Sequence, residues 1–79
     1  MSDPQSARVL ITGAAGAIGH CLHRAFSGRY ALLRLADRAP VTALAAAEQT
    51  LLGDLSDPAI AAEAVRGIDC IVHLAGMPT

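Results

Sequence analysis

The chain has 79 residues, room for one small domain that buries only about 60% of the surface its unfolded form exposes. At 53% hydrophobic and 16% charged it is a core-forming composition, which excludes an intrinsically disordered chain. A formal net charge of −1 offers no bulk attraction for nucleic acid or an anionic membrane, and no apolar run reaches membrane-spanning length.

The polar start, Met1-Ser2-Asp3-Pro4-Gln5-Ser6, makes residues 1–7 a disordered lead-in. Arg8 to Thr12 is expected as the first strand. Its apolar run is continuous rather than alternating, as in a strand covered on both faces of a parallel sheet.

The strand runs into Gly13-Ala14-Ala15-Gly16-Ala17-Ile18-Gly19, and helical spacing follows. A strand, a glycine turn and a helix N-terminus together form a phosphate-holding place, because the first helix amides lack intrahelical partners and carry the positive end of the helix dipole. Gly13 lets the chain turn, Gly16 lets a pyrophosphate approach the backbone, and Gly19 lets the helix lie close to the strand. The spacing G-x-x-G-x-x-G differs from the tighter G-x-G-x-x-G, and a plain glycine-rich turn is the alternative on this motif alone. No Gly-Lys-Ser/Thr follows, so a P-loop is excluded.

The first helix should run from Ala17 to Ser27. Ile18, Leu22, Ala25 and Phe26 make its apolar face, His20, His23 and Arg24 fall on the other side, and Gly28 suits the C-cap. His20 stands near the phosphate place but reads as a solvated surface histidine. Ala31 to Ala36 is the second strand, interrupted by Arg34, so one of its faces should be less buried. Asp37 follows 18 positions after Gly19 (37 minus 19), near the spacing of about 20 for an acid that grips an adenosine ribose. A carboxylate there accepts from both ribose hydroxyls and repels a 2′-phosphate, favouring NAD over NADP. Arg38 beside it pulls the other way, and a strand-end turn residue is the alternative for Asp37.

Ala39 to Ala47 fits either a loop or a short helix. Gln49 to Leu52 is the third strand, followed by Gly53-Asp54-Leu55. Asp57 then suits an N-cap and Pro58 the first position of a second helix, whose residues Ile60, Ala61, Ala64 and Val65 share a face and which Gly67 ends. Cys70 to Leu74 is the fourth strand, with His73 expected as a packed core residue, and Ala75-Gly76-Met77-Pro78-Thr79 follows. Cys21 and Cys70 lack metal-ligand spacing and read as small buried apolar residues. Reduced thiols and the lack of a signal peptide point to the cytoplasm.

Strands alternating with helices give an α/β fold: a partial Rossmann-type open parallel sheet, order 3-2-1-4, with one helix on each face and the ligand place at the C-terminal strand ends. These pieces, Thr12-Gly13-Ala14-Ala15-Gly16-Ala17-Ile18-Gly19, Asp37, Gly53-Asp54-Leu55 and His73-Leu74-Ala75-Gly76, occur in order at strand ends. The chain thereby resembles the N-terminal part of an extended short-chain dehydrogenase/reductase, the NAD-dependent epimerase/dehydratase group. Within that group, Tyr30-Ala31-Leu32-Leu33-Arg34-Leu35-Ala36-Asp37-Arg38 and the short connection to Asp54 look most like uronate dehydrogenases. Ala17 departs from the aromatic residue or arginine that many members carry there.

The resemblance implies that Gly13, Ala14, Ala15, Gly16, Ala17, Ile18 and Gly19 hold a pyrophosphate, and that Asp37, with Arg38, holds the adenosine ribose. It further implies that Asp54 and Leu55 flank the adenine, and that Leu74, Ala75 and Gly76 border the ribose on the nicotinamide side. For Asp54, a turn aspartate is the alternative. The family's chemistry uses a Tyr-x-x-x-Lys pair with a Ser or Thr. This chain has no lysine, its basic residues being six arginines, and its one tyrosine is Tyr30. The expectation is a cofactor-binding part, ending before the catalytic and substrate-binding part, of an NAD-dependent oxidoreductase or epimerase acting on a sugar or sugar acid. An NAD(H)-sensing or partner-binding module is the alternative, and a truncated product without function a third. No metal site is expected, and an exposed edge beside the fourth strand should favour self-association.

Overall fold

The computed structural model describes residues 6–75. Four strands and two helices alternate as β1 (Arg8–Thr12), α1 (Ala17–Phe26), β2 (Leu32–Asp37), β3 (Glu48–Leu52), α2 (Pro58–Val65) and β4 (Cys70–His73). The strands form one parallel sheet in the order β3-β2-β1-β4, as expected.

β1 lies between β2 and β4 and is buried from Val9 to Thr12. Its alternate residues serve opposite layers. Val9 and Ile11 join Leu33, Leu35 and Ala14 under α1, which adds Leu22 and Phe26. Leu10 joins Ala36 and Ala64 on the α2 side, where Leu51, Leu55 and Ile68 complete the cluster. One strand thus supplies both cores, which is why its sequence is apolar without alternation.

The termini of the two helices are built differently. Asp57 caps α2 by accepting the Ala59 N–H at 2.9 Å, with Pro58 at its first position. α1 starts from Gly16, with no side-chain cap and no acidic residue in its first turn. Gly28 follows the α1 C-cap residue Ser27 with φ +77°, and Gly67 follows α2 with φ +71°, the left-handed geometry that ends helices. At the far end of α2, Arg34 Nη1 donates to the carbonyls of Glu63, Ala64 and Arg66 at 3.3, 2.9 and 2.7 Å. The polar break in β2 is therefore a clamp on the helix above it.

Several expectations need correction. Ala7 belongs to the fold, since its carbonyl accepts the Ala31 N–H at 3.0 Å and its side chain packs on the core. β2 runs one residue further than expected, because Asp37 still pairs with Leu52 of β3. Of the two readings open for Ala39 to Ala47, the structure takes the loop. His23, expected on the side of α1 away from its apolar face, is buried: its Nε2 lies 2.6 Å from Glu48 Oε1, and Ser27 donates its hydroxyl to Glu48 Oε2 at 2.5 Å. Ile18, expected on the buried face, is 46% exposed, and Ala25 is exposed as well. Cys21 and Cys70 are exposed, on the outer face of α1 and on the edge strand. His73 is exposed at the end of that edge strand, not packed in the core.

Candidate functional site

A cleft of about 510 Å³ opens at the C-terminal ends of the strands. Its floor is the turn that leaves β1. There Gly13 takes φ +72°, and a Cβ on it would stand 2.8 Å from the backbone of Leu74 and Ala75. No other residue type fits this turn unstrained. Gly19 is buried behind it, and a Cβ there would meet the Gly13 carbonyl oxygen at 2.3 Å and the Ala14 Cα at 2.8 Å. The third glycine thus sets how close α1 can lie to the turn.

Most amides of the turn are already engaged. The N–H groups of Gly13 and Ala14 donate to the Ala36 carbonyl at 2.9 and 3.2 Å, Ala15 N–H to Asp37 Oδ2 at 3.0 Å, and Gly16 N–H to the Gly13 carbonyl at 3.1 Å. The first intrahelical bond is His20 N–H to Gly16 carbonyl. That leaves the amides of Ala17, Ile18 and Gly19 without an intrahelical acceptor and without a side-chain cap. They carry the positive end of the α1 dipole.

Asp37 and Arg38 form one wall. The Asp37 carboxylate is fixed from both flanks, with Oδ2 on Ala15 N–H and Oδ1 accepting Ala39 N–H at 2.9 Å. Two oxygens offer about four acceptor sites, so two remain for a ligand. Gly53, Asp54, Leu55 and Ser56 make the wall after β3. Asp54 Oδ1 accepts the Ser56 N–H at 2.9 Å. The Ser56 backbone and side-chain hydrogen bonds, helped by the charge of Arg38, hold the Asp54 carboxyl below the usual carboxylate range. The turn-aspartate geometry and a place on the cleft wall thus hold together for this residue. His73, Leu74 and Ala75 close the third side.

Of the residues singled out in the sequence, Gly13, Gly16, Asp37, Arg38, Asp54, Leu55, Leu74 and Ala75 meet in this one cleft. Ala14 is buried in the core, Ala15 reaches the site only through its amide on Asp37, and Ala17 and Ile18 form the exposed first turn of α1. Gly76 lies outside the described residues. Gly53, Ser56 and His73 also line the cleft; none had been given a site role from the sequence, although each adjoins a residue that had. Tyr30, the one tyrosine, lies away from the cleft, edge to face with Phe26 at 5.5 Å and packed on the α1-side core. Among the described residues no group of His, Cys, Asp and Glu could hold a metal ion, and no helix is long and apolar enough to cross a membrane.

A family profile described as the NAD dependent epimerase/dehydratase family matches residues 9–79. The chain belongs to this family. Uronate dehydrogenase of Pseudomonas putida is 38% identical over 73 residues, 91% of this chain but 27% of that protein. A 3 beta-hydroxysteroid dehydrogenase/Delta 5→4-isomerase of Mycobacterium tuberculosis is 41% identical over 71 residues, covering 89% of this chain and 19% of its own. The crystal structure of an Agrobacterium tumefaciens uronate dehydrogenase variant complexed with NAD superposes with a TM-score of 0.84 at 35% identity, over 94% of this chain and 28% of that one. Glucuronic acid dehydrogenase of Chromohalobacter salexigens gives 0.81 at 32% identity, over 92% of this chain and 27% of that one. This family member therefore spans about a quarter of the length of the uronate dehydrogenases it matches.

Proposed function

We propose that the cleft binds NAD and that the chain is the dinucleotide-binding part of an NAD-dependent oxidoreductase acting on a sugar acid. The observation that carries this reading is the pairing of an uncapped α1 N-terminus with an anchored Asp37 carboxylate across one cleft. The similarity to uronate dehydrogenases, one of them complexed with NAD, supports it.

The chemistry of the donor set fits the cofactor. The glycine segment Gly13–Gly19 receives the pyrophosphate, with the amides of Ala17, Ile18 and Gly19 as its donors. Asp37 accepts from the adenosine ribose hydroxyls, and Arg38 stands beside it. Asp54 and Leu55 flank the adenine, and Leu74, Ala75 and Gly76 border the second ribose. Bound NAD would supply the hydride acceptor. The chain's own residues bind and orient it, and an ionised Asp37 disfavours a 2′-phosphate. No Tyr-x-x-x-Lys pair occurs in these 79 residues, so the proposal for this chain is binding without turnover. The outer edge of β4, with Ile71 half exposed, is where self-association would begin.

Titration with NADH, followed by its fluorescence, tests the reading. Saturable binding is expected, with NADPH at least about tenfold weaker because a phosphate would approach a fixed carboxylate. Lack of saturable NADH binding would overturn the proposal. Equal binding of NADPH would shift the selective role from Asp37 to Arg38.

A further inference from the structure

The side chain of Thr12 ties the floor of the cleft to its third wall by several bonds. It is buried at the end of β1, and its Oγ1 receives the Leu74 N–H at 3.0 Å and the Ala75 N–H at 3.3 Å. The same oxygen lies 2.7 Å from His73 Nδ1, across the register pair Thr12–His73. A hydroxyl has two lone pairs and one proton. The Ala75 N–H takes one lone pair and the Leu74 N–H, shared with the Thr12 carbonyl at 3.1 Å, is directed at the other, which leaves Nδ1 as the acceptor facing the hydroxyl proton. A nitrogen that accepts cannot also carry a proton. This arrangement matches the His73 tautomer that carries its hydrogen on Nε2.

His73 Nε2 makes no hydrogen bond among the described residues, and the ring lines the cleft at the junction between the strand end and the neighbouring apolar groove of Leu10, Leu55 and Ile71. The groove offers a ring N–H no acceptor. A bound dinucleotide, whose phosphates and riboses are rich in oxygen, does. We infer that His73 is a ligand-positioning residue, fixed by Thr12 as its Nε2–H tautomer, that donates to an oxygen of the bound dinucleotide. This rests on the proposal that the cleft binds NAD. Thr12 acts through His73 and through the amides of Leu74 and Ala75, and itself touches no ligand.

The test uses the protein labelled with 15N-histidine and long-range 15N–1H correlation spectra, which distinguish the two tautomers. In the free protein His73 should show an unprotonated Nδ1 and a protonated Nε2, and on adding NADH the Nε2–H resonance should move downfield. His73→Asn keeps the group that faces Thr12 and removes the outer donor, and NADH binding should weaken about fivefold. His73→Gln, which places an amide N–H near the Nε2 position, should recover part of that loss. A protonated Nδ1 in the free protein overturns the inference without any variant, as does NADH saturation that leaves the His73 resonances unmoved. A wild-type protein that does not bind NADH removes the function reading and the positioning role together, while its free-state spectrum still decides the tautomer.

Discussion

The N-termini of α1 and α2 face the same end of the sheet and are finished in opposite ways. α2 closes itself: Asp57 takes the Ala59 amide, and Pro58 has no amide to satisfy. α1 opens on Gly16 with neither cap nor acidic first turn, and its first three amides are left to whatever enters the cleft. A helix that needed only stability would carry the side-chain cap, which is worth about 1 kcal/mol over alanine and a few tenths over glycine. Under the proposed function the α1 end serves a ligand and the α2 end serves the fold. The opposite ends of both helices are tied down, α1 through His23 and Ser27 to Glu48, and α2 through its carbonyls to Arg34. The unsatisfied end of α1 is thus presented by a helix that cannot drift.

The largest effect is expected where that presentation depends on backbone contact. Gly19→Val would place a Cβ within 2.3 Å of the Gly13 carbonyl oxygen, which neither the turn nor the helix can yield without separating. The expected cost is about 3 kcal/mol or more, enough to unfold so small a domain. Circular dichroism should show loss of the cooperative thermal transition. A variant that melts as the parent does would mean that the closeness of α1 to the turn is not needed.

A second break acts on the other end of α1. Burial raises the Glu48 carboxyl, but the Leu44 amide and the hydrogen bonds from Ser27 and His23 outweigh it, so the folded value lies below the ordinary 4.5. The folded state thus releases this proton more readily than the unfolded chain. The stability it contributes is complete above pH 4.5 and is lost as pH falls through the lower folded value. Acid titration of the melting temperature should show this loss, and Glu48→Gln should flatten it. His23→Ala, which leaves a buried carboxylate short of a partner, should cost about 3 kcal/mol at neutral pH. An acid limb unchanged in Glu48→Gln would assign it to other carboxyls.

The same contrast explains what could be read from the residues. β1, the glycine turn and the α2 start are local statements: a continuous apolar run, spaced glycines, and Asp-Pro before a helix. Each is enforced by its own few residues, so strand order, the α2 cap and most of the cleft wall were legible. His23 was not, because a polar residue opposite the apolar stripe reads as solvated. Its partner lies 25 residues away in another element, and only the spacing of His23 and Ser27, four apart on one helix face, hinted at it. The exposure of Cys21 and Cys70 depends on how much of α1 and of the edge strand a four-stranded sheet can cover, which composition does not state. The link from Thr12 to His73 was hidden for the same reason, since it spans 61 positions.

The smallest effects sharpen the comparison most, because they exchange the two finishes. Gly16 has φ −73° and ψ 172°, an extended geometry open to any residue and normal for an N-cap. Gly16→Asp would therefore hand the α1 amides a carboxylate of their own without backbone strain. Stability should stay level or rise by a few tenths of a kcal/mol, since glycine at this position already costs little. NADH affinity should fall at least about tenfold, because the new carboxylate occupies the amides and repels the pyrophosphate. Asp57→Ala is the mirror experiment: it opens α2 and should cost about 1 kcal/mol of stability while leaving NADH affinity unchanged. The two variants are read in the same pair of measurements, a thermal melt and an NADH titration. Opposite patterns would establish that one helix end serves the ligand and the other the fold. If Gly16→Asp bound NADH as well as the parent, the uncapped α1 end would be a structural accident, and the anion would have to be held elsewhere in the cleft.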